Sequence, residues 1–289
     1  MTRCDNKNLI MKVIKPILIL CVAALFATSC KKDVDMTLVQ KTVLENSDIR
    51  QIEVSDAWPV TIVSDSVTYV ELAYSAYLEP YVKAKMEGNK LEIGFTTNVY
   101  PAINSEFRAT VHTDKIESIE AKDAAEMSFS GHFSATSDSL TIHLEDASVC
   151  SGLDYSGHEC KVVIEDASQF LGFHLTSTNA EVKVSDASTC KGDFDTRFHL
   201  VAYLSGASHF ITFGGEAPYG LIKLQDASLL NMAQTPVREM HVDLSNASEA
   251  TVWVSDAMEG SLKSASTLYY KGNPQTNIDC SEDSQLIPF

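Results

Sequence analysis

The chain has 289 residues, with 22 Lys and Arg against 39 Asp and Glu and a formal net charge of −17. Hydrophobic residues make up 45% and charged residues 21%, a balance that supports a folded core and excludes a disordered chain. The acidic excess also argues against nucleic acid as a partner, because phosphate-backbone binding needs concentrated Lys and Arg.

The first element is an address. The apolar run from Ile17 to Ala27 is too short to span a bilayer, which takes about 20 apolar residues. With Lys12 and Lys15 ahead of it and small residues behind, it has the layout of a secretory signal. Its end, Ala27-Thr28-Ser29-Cys30, resembles a bacterial lipobox, in which the Cys is lipidated and the preceding peptide removed. Ala27 departs from that pattern, which favours Leu there, and either Met1 or Met11 can serve as the start. Residues 1–29 are therefore expected to be a lipoprotein signal peptide, with Cys30 the lipid anchor and residues 30–45 a tether. The implied localisation is an exported, outer-membrane-anchored lipoprotein, with the membrane as a partner through Cys30. Removing residues 1–29 deepens the net charge from −17 to −20. So acidic a body should stand off anionic lipid rather than lie on it.

Residues 46–121 carry strand patterns without a fixed period: Ile52–Val54, Val60–Val63, Tyr69–Leu72, Leu91–Phe95 and Ala109–His112, with Glu87-Gly88-Asn89 as a turn. This stretch is expected to be a cap or a set of irregular first coils.

From residue 122 a repeat takes over. Leu144-Glu-Asp-Ala-Ser148 recurs as Ile164 to Ser168, Val184 to Ser188, Leu204 to Ser208, Leu224 to Ser228 and Leu244 to Ser248, every Ser 20 residues after the last. A looser copy, Lys122-Asp-Ala-Ala125, precedes them, and Ser264-Ala-Ser266 and Glu282-Asp-Ser284 follow at steps of 18. Pairs such as Ile142/Leu144 and Val162/Ile164 alternate with polar residues, as in a strand with one buried face. Beyond each Ser, Cys150, Phe170, Cys190, Phe210 and Leu230 form a second apolar column. The Ala before each Ser is expected to point inward at the corner. One such unit cannot bury its apolar face alone, whereas stacked units can. Twenty residues are too few for a βαβ unit of about 30 residues or a propeller blade of about 40. The fold class is therefore an all-β, single-stranded parallel β-helix over residues 122–289. Leu268 to Pro274 breaks regularity and is expected to belong to a C-terminal cap.

The order of these features resembles the head-GIN-domain family of putative auto-transporter adhesins, a domain-of-unknown-function family of Gram-negative lipoproteins. The matching pieces are Ile52-Glu-Val54 with Val60-Thr-Ile62, Gly88-Asn-Lys-Leu-Glu-Ile93, the repeated Ala-Ser corners, and Tyr270-Lys-Gly-Asn-Pro274. That family usually has Gly before Ala-Ser, a Gly kept here only at Gly206. The resemblance implies a β-helix on the outer side of the cell.

Candidate sites are weighed against plain structural roles. Asp146, Asp166 and Asp186 stack, with Asp226 beyond Gly206, and such a row could bind Ca²⁺. Gly206 and Asn246 interrupt it, so local turn hydrogen bonds by the Asp side chains are favoured, and no metal or other cofactor is expected. Cys150, Cys160, Cys190 and Cys280 fall in inward columns without CxxC spacing and read as buried free thiols. Lys183, Tyr203, Lys223, His241 and Asp243 occupy outward strand positions and are the candidate ligand-binding residues, with Glu181 beside them. Tyr203, Trp253, Tyr269 and Tyr270 could stack on sugars. No acid–base pairing repeats, so no catalytic residue is assigned. The expected function is a non-catalytic binding or structural surface, adhesin-like, with a glycan or an envelope protein as ligand. The alternative is a carbohydrate-active enzyme, a polysaccharide lyase or hydrolase.

Overall fold

Each repeat has four residues in which to turn its chain from one face to the next, and the sequence Glu-Asp-Ala-Ser does this with two successive left-handed residues. In the computed structural model, which describes residues 34–135 and 137–289, Asp146 and Ala147 take φ of 54° and 61°. The Ser148 N–H closes the turn on the Glu145 carbonyl at 3.3 Å. The same positive-φ pair recurs at residues 56–57, 123–124, 166–167, 186–187, 206–207, 226–227, 246–247 and 264–265. In such a turn both central side chains face solvent. The Ala residues are accordingly exposed, and the expectation that they point inward is wrong. The Ser that follows is the inward residue: Ser148, Ser168, Ser188, Ser208, Ser228, Ser248 and Ser266 are all buried.

Buried hydroxyls and amides need partners, and here each coil supplies them to its neighbour. The Ser148 N–H donates to Ser168 Oγ at 3.1 Å, and the Ser168 N–H to Ser188 Oγ at 3.2 Å. On the outer rim of the corner, the Ala147 N–H donates to the Asp166 carbonyl at 2.8 Å and the Ala167 N–H to the Asp186 carbonyl at 2.9 Å. The main-chain carbonyls of these Asp residues therefore tie coil to coil, a contact distinct from the turn hydrogen bonds expected of their carboxylates. Gly206 sits tightly, since a Cβ there would lie 2.9 Å from the Asp186 nitrogen.

Between corners the chain is extended, and successive coils pair in parallel at the repeat spacing. β1 to β9 cover Leu38–Val43, Gln51–Val54, Pro59–Val63, Tyr69–Ser75, Val82–Glu87, Lys90–Phe95, Phe107–His112, Ser118–Ala121 and Glu126–Ser130. β10 (His132–Ser134) ends that coil, and the next contributes β11 (Ser139–Leu144), β12 (Val149–Ser151) and β13 (Asp154–Ser156), which stacks on β10. β14 (Glu159–Ile164) leads into long, bulged strands: β15 (Gln169–Val184), β16 (Thr189–Leu204), β17 (His209–Leu224), β18 (Leu229–Leu244) and β19 (Glu249–Leu262). β20 (Thr267–Lys271), β21 (Gln275–Cys280) and β22 (Gln285–Pro288) follow. The parallel β-solenoid read from the repeat is thus the fold, and residues 36–289 form one unit. No helix among the described residues is long and apolar enough to cross a membrane.

The regular coils begin earlier than the repeat suggests. β2 and β3 flank the corner Ser55-Asp56-Ala57-Trp58 and stack on β8 and β9 in register. Trp58 stands where later corners have Ser, which hides the motif from a search for Ala-Ser. It is fully buried and packs edge-on against Phe95 and Phe107, both at 5.4 Å. Those two rings come from β6 and β7, which lie parallel on the far side of β2 and β3 although they follow them in sequence. β5 then pairs antiparallel with β6, β4 with β7, and β1 with β4, covering the end of the solenoid. Residues 38–43, expected within a tether, are thus an edge strand. Residues 1–29 and Cys30 lie outside the described residues.

The opposite end differs from expectation as well. Residues 268–271 do not fold over it: β20 and β21 continue the coil on β19, and β22 stacks on β20. Cys280 does continue the inward column below Leu262, but none of the described strands stacks on it, and it is exposed. Cys150, Cys160 and Cys190 are buried, and burial pushes all three thiols up, Cys160 to about 12. Thiol alkylation of the native body followed by peptide mapping should therefore modify Cys280 while sparing Cys150, Cys160 and Cys190 until denaturant is added.

The corners supply a paired stability test. Ala187→Gly removes a Cβ from a left-handed residue and should raise unfolding stability by about 1 kcal/mol. Ser188→Ala leaves the buried Ser168 N–H with only the Glu165 carbonyl, 3.2 Å away, and should cost about 1 kcal/mol. Denaturant midpoints of the two variants should move in opposite directions.

Candidate functional site

Since the strands stack without slipping before each corner, a residue two positions ahead of one corner lies directly above its counterpart in the next coil. Val163, Lys183, Tyr203, Lys223, Asp243 and Ser261 are successive partners in a single outward column. With strands about 4.8 Å apart, Lys183 and Lys223 stand two spacings apart with Tyr203 between them. Four of the five candidate residues, Lys183, Tyr203, Lys223 and Asp243, are thereby brought together. They line a groove of about 710 Å³ that runs along the solenoid axis beside the corners.

The fifth, His241, lies in the parallel column of Glu181, Val201 and Leu221 and faces an adjoining hollow of about 580 Å³. It is joined to the groove through Asp243, whose Oδ2 is 3.0 Å from His241 Nε2. Trp253, Tyr269 and Tyr270 follow the corner rather than precede it and do not line the groove. Trp253 is instead covered by the Lys271 ammonium at 4.2 Å.

Charge within the groove runs against the chain as a whole. Its lining carries Lys183, Lys223 and Lys263 against Glu165 and Asp243, in a protein of net charge −17. Lys183 Nζ is held 2.8 Å from Glu181 Oε1, a bond that raises its pKa, and lies 5.7 Å from the Tyr203 ring centre. Lys223 Nζ stands 4.0 Å from Asp243 Oδ2, at the limit of an ion pair. Asp243 is the most constrained member. Burial pushes its carboxyl up, but hydrogen bonds from Ser261 (2.8 Å) and His241, with the charge of Lys223, outweigh that and hold it below the ordinary value.

Two charged lining residues escaped the sequence reading. Glu165 and Lys263 occupy the first position of their corners, and Lys263 follows the shift of the repeat from 20 to 18 residues, which obscures its alignment. Glu165 also meets His143 and Glu145 at the groove's end. Donor atoms of the three lie within 4.8 Å of one another, and His143 Nε2 is 2.8 Å from Glu165 Oε1. These are the residues that could hold a divalent cation, with a His and two carboxylates as donors. The signal was present as His-x-Glu followed 20 residues later by Glu, but only stacking of the coils makes it a cluster.

The His241–Asp243 pair leads to a pH prediction. Burial lowers the imidazole's pKa, yet hydrogen bonds to Asp243 and Glu259 overcome this and raise it above the ordinary histidine value. Protonated His241 thus favours the folded state below that ordinary value, and the contribution is lost as pH rises through the raised one. NMR titration of His241 should give a midpoint above 6.5 in the native protein, and Asp243→Asn should lower it.

The solenoid resembles solved structures over most of its length. A putative adhesin from Parabacteroides merdae aligns at 11% identity, with 89% of this chain and 98% of that chain covered and a TM-score of 0.62. A putative adhesin from Parabacteroides distasonis aligns at 15%, with coverages of 88% and 98% and a TM-score of 0.62. A putative lipid binding protein from the same species aligns at 11%, with coverages of 89% and 98% and a TM-score of 0.62. At these identities the likeness concerns the fold. No curated protein matches the chain. A family model does, over residues 48–274, from the first corner's leading strand to the Pro that ends the Tyr-Lys-Gly-Asn-Pro segment. The chain belongs to the family described as putative auto-transporter adhesin, head GIN domain.

Proposed function

We propose that this protein is an exported, lipid-anchored envelope protein whose solenoid is a non-catalytic, adhesin-like binding surface. Its ligand lies in the groove of Lys183, Tyr203, Lys223 and Asp243. The observation that carries this reading is the ladder itself, which aligns two ammonium groups with an aromatic ring between them on a rigid sheet, in an otherwise acidic body. An extended anionic chain suits such a groove, since its acidic groups meet Lys183 and Lys223 while an apolar face rests on Tyr203. An acidic glycan has that chemistry, and an acidic segment of an envelope protein is the other class of ligand considered. The family assignment supports the adhesin-like role, and the lipobox-like Ala27 to Cys30 supports the anchor.

Against a lyase, Asp243 is tied up by Ser261 and His241, and Lys183 is held protonated by Glu181 rather than freed to act as a base.

Glycan-array binding tests the groove. Uronate- or sulfate-bearing glycans should be retained, and Lys183→Ala with Lys223→Ala should weaken binding at least tenfold, with a steep salt dependence. Retention of neutral glycans only, or none, would count against the acidic-glycan reading. Palmitate labelling that disappears in Cys30→Ala would establish the anchor, and label that persists would place lipidation elsewhere or nowhere on that residue.

A further inference from the structure

The end of the solenoid where the chain enters carries a second surface, unlike the groove in every respect. The loop between β6 and β7, residues 96–106, has no charged residue before Glu106, although a fifth of the chain is charged. At its tip Tyr100 is 93% exposed and Ile103 is 89% exposed, the two most exposed large hydrophobic side chains in the described body. The loop is nevertheless held firmly. Val99 packs against the core, and the Ala102 N–H donates to Tyr77 Oη at 2.7 Å. Ser105 Oγ is 2.5 Å from the same phenol oxygen and donates to the Ala102 carbonyl at 2.6 Å. Exposure of Tyr100 and Ile103 is thus built into the loop, at a standing cost in hydrated apolar surface.

The surroundings point the same way. Tyr81, itself 40% exposed, accepts the Thr96 N–H on its carbonyl and so sits at the loop's base. The Ala76 N–H, next to the anchoring Tyr77, donates to the Thr37 carbonyl. That places the flanking Met36 and Leu38, 39% and 42% exposed, where the chain enters the fold. From Cys30 to Met36 the chain can span at most about 20 Å. If Cys30 carries lipid, this end of the body is held within that distance of the bilayer. A short apolar projection with a Tyr at its tip, free of charge, suits the boundary between headgroups and acyl chains.

We propose that the loop of Tyr100 and Ile103, with Met36, Leu38 and Tyr81 around it, docks on the lipid surface into which Cys30 is anchored. This inference rests on the anchor reading. It sets the orientation of the body: the capped end faces the membrane, and the solenoid axis carries the groove away from it. Because the contact is apolar and the body acidic, zwitterionic lipid is the expected surface and salt should have little effect.

The test uses the full chain, expressed with its signal, checked for palmitate label and reconstituted into phosphatidylethanolamine vesicles containing brominated phosphatidylcholine. Tyr100→Trp should lose emission to the bromines beyond the loss seen for the native Trp58 and Trp253, at low and high salt alike. Adding Ile103→Asp to that variant should restore much of the emission, with circular dichroism confirming the fold. Phe289→Trp, on the last coil, should show no added quenching. Labelled protein whose Tyr100→Trp emission is unchanged by brominated lipid would overturn the docking while leaving the anchor intact. Quenching equal to that of Phe289→Trp, or quenching abolished by salt, would overturn it too. Absence of palmitate label would overturn the anchor and this inference together.

Discussion

One hydrogen bond organises this protein: at eight of the nine described corners, the amide of the second left-handed residue donates to the carbonyl of the first left-handed residue in the next coil. Ala57, Ala124, Ala147, Ala167, Ala187, Ala207, Ala227 and Ala247 all make it, at 2.8 or 2.9 Å. A non-glycine residue with positive φ costs about 1–2 kcal/mol, and every corner except that of Gly206 bears the cost twice. The outlay is offset because the bond, with the buried Ser ladder behind it, permits only one alignment of neighbouring coils. A slip by one residue would expose every Leu, Ile and Val of a strand and bury its lysines and carboxylates. Corner chemistry and core burial therefore demand the same register.

Strict register is also what creates the groove. Lys183, Tyr203, Lys223 and Asp243 have nothing in common locally except their distance from a corner. The solenoid converts equal sequence positions into a line in space, so substitutions at one repeat position become neighbouring features of one surface. The same conversion brings Glu165 to His143 and Glu145. Function in such a scaffold is written down columns rather than along strands, and a rigid backbone beneath the columns limits the ordering cost of a ligand.

The two ends of the solenoid are treated differently. At the start, Trp58, Phe95 and Phe107 plug the core, and antiparallel strands cover the edge that a parallel coil would leave open. At the other end β22 stacks on β20, with polar residues, Pro288 and exposed Cys280 along the rim of that coil. Pro288 lacks an N–H to offer an added strand, which is one way an open edge is blunted. The asymmetry gives the body two unlike ends, and the apolar loop of Tyr100 and Ile103 belongs to the capped end, beside Met36 and β1.

Much of this was legible in the residues. The 20-residue spacing of Ala-Ser, the alternation before it and the apolar column after it are local consequences of strand and turn chemistry, and they determine a parallel solenoid and its outward columns without reference to tertiary contacts. Lys183, Tyr203, Lys223 and Asp243 could be aligned by counting alone. Other features depend on what lies across a coil or beyond the last one. Whether Ala or Ser turns inward is decided by the pair of left-handed residues, which composition does not reveal. Cys280 keeps its column but loses its burial because none of the described strands stacks on it. The corner at Trp58 is disguised because a ring from the cap, rather than a neighbouring Ser, fills the space behind it. The sequence by itself determined the repeat, its register and the candidate column. Only the tertiary structure decided where the coils begin, how β6 and β7 slip beneath an earlier coil, and which column bounds a groove, because those depend on long-range packing that no local period encodes.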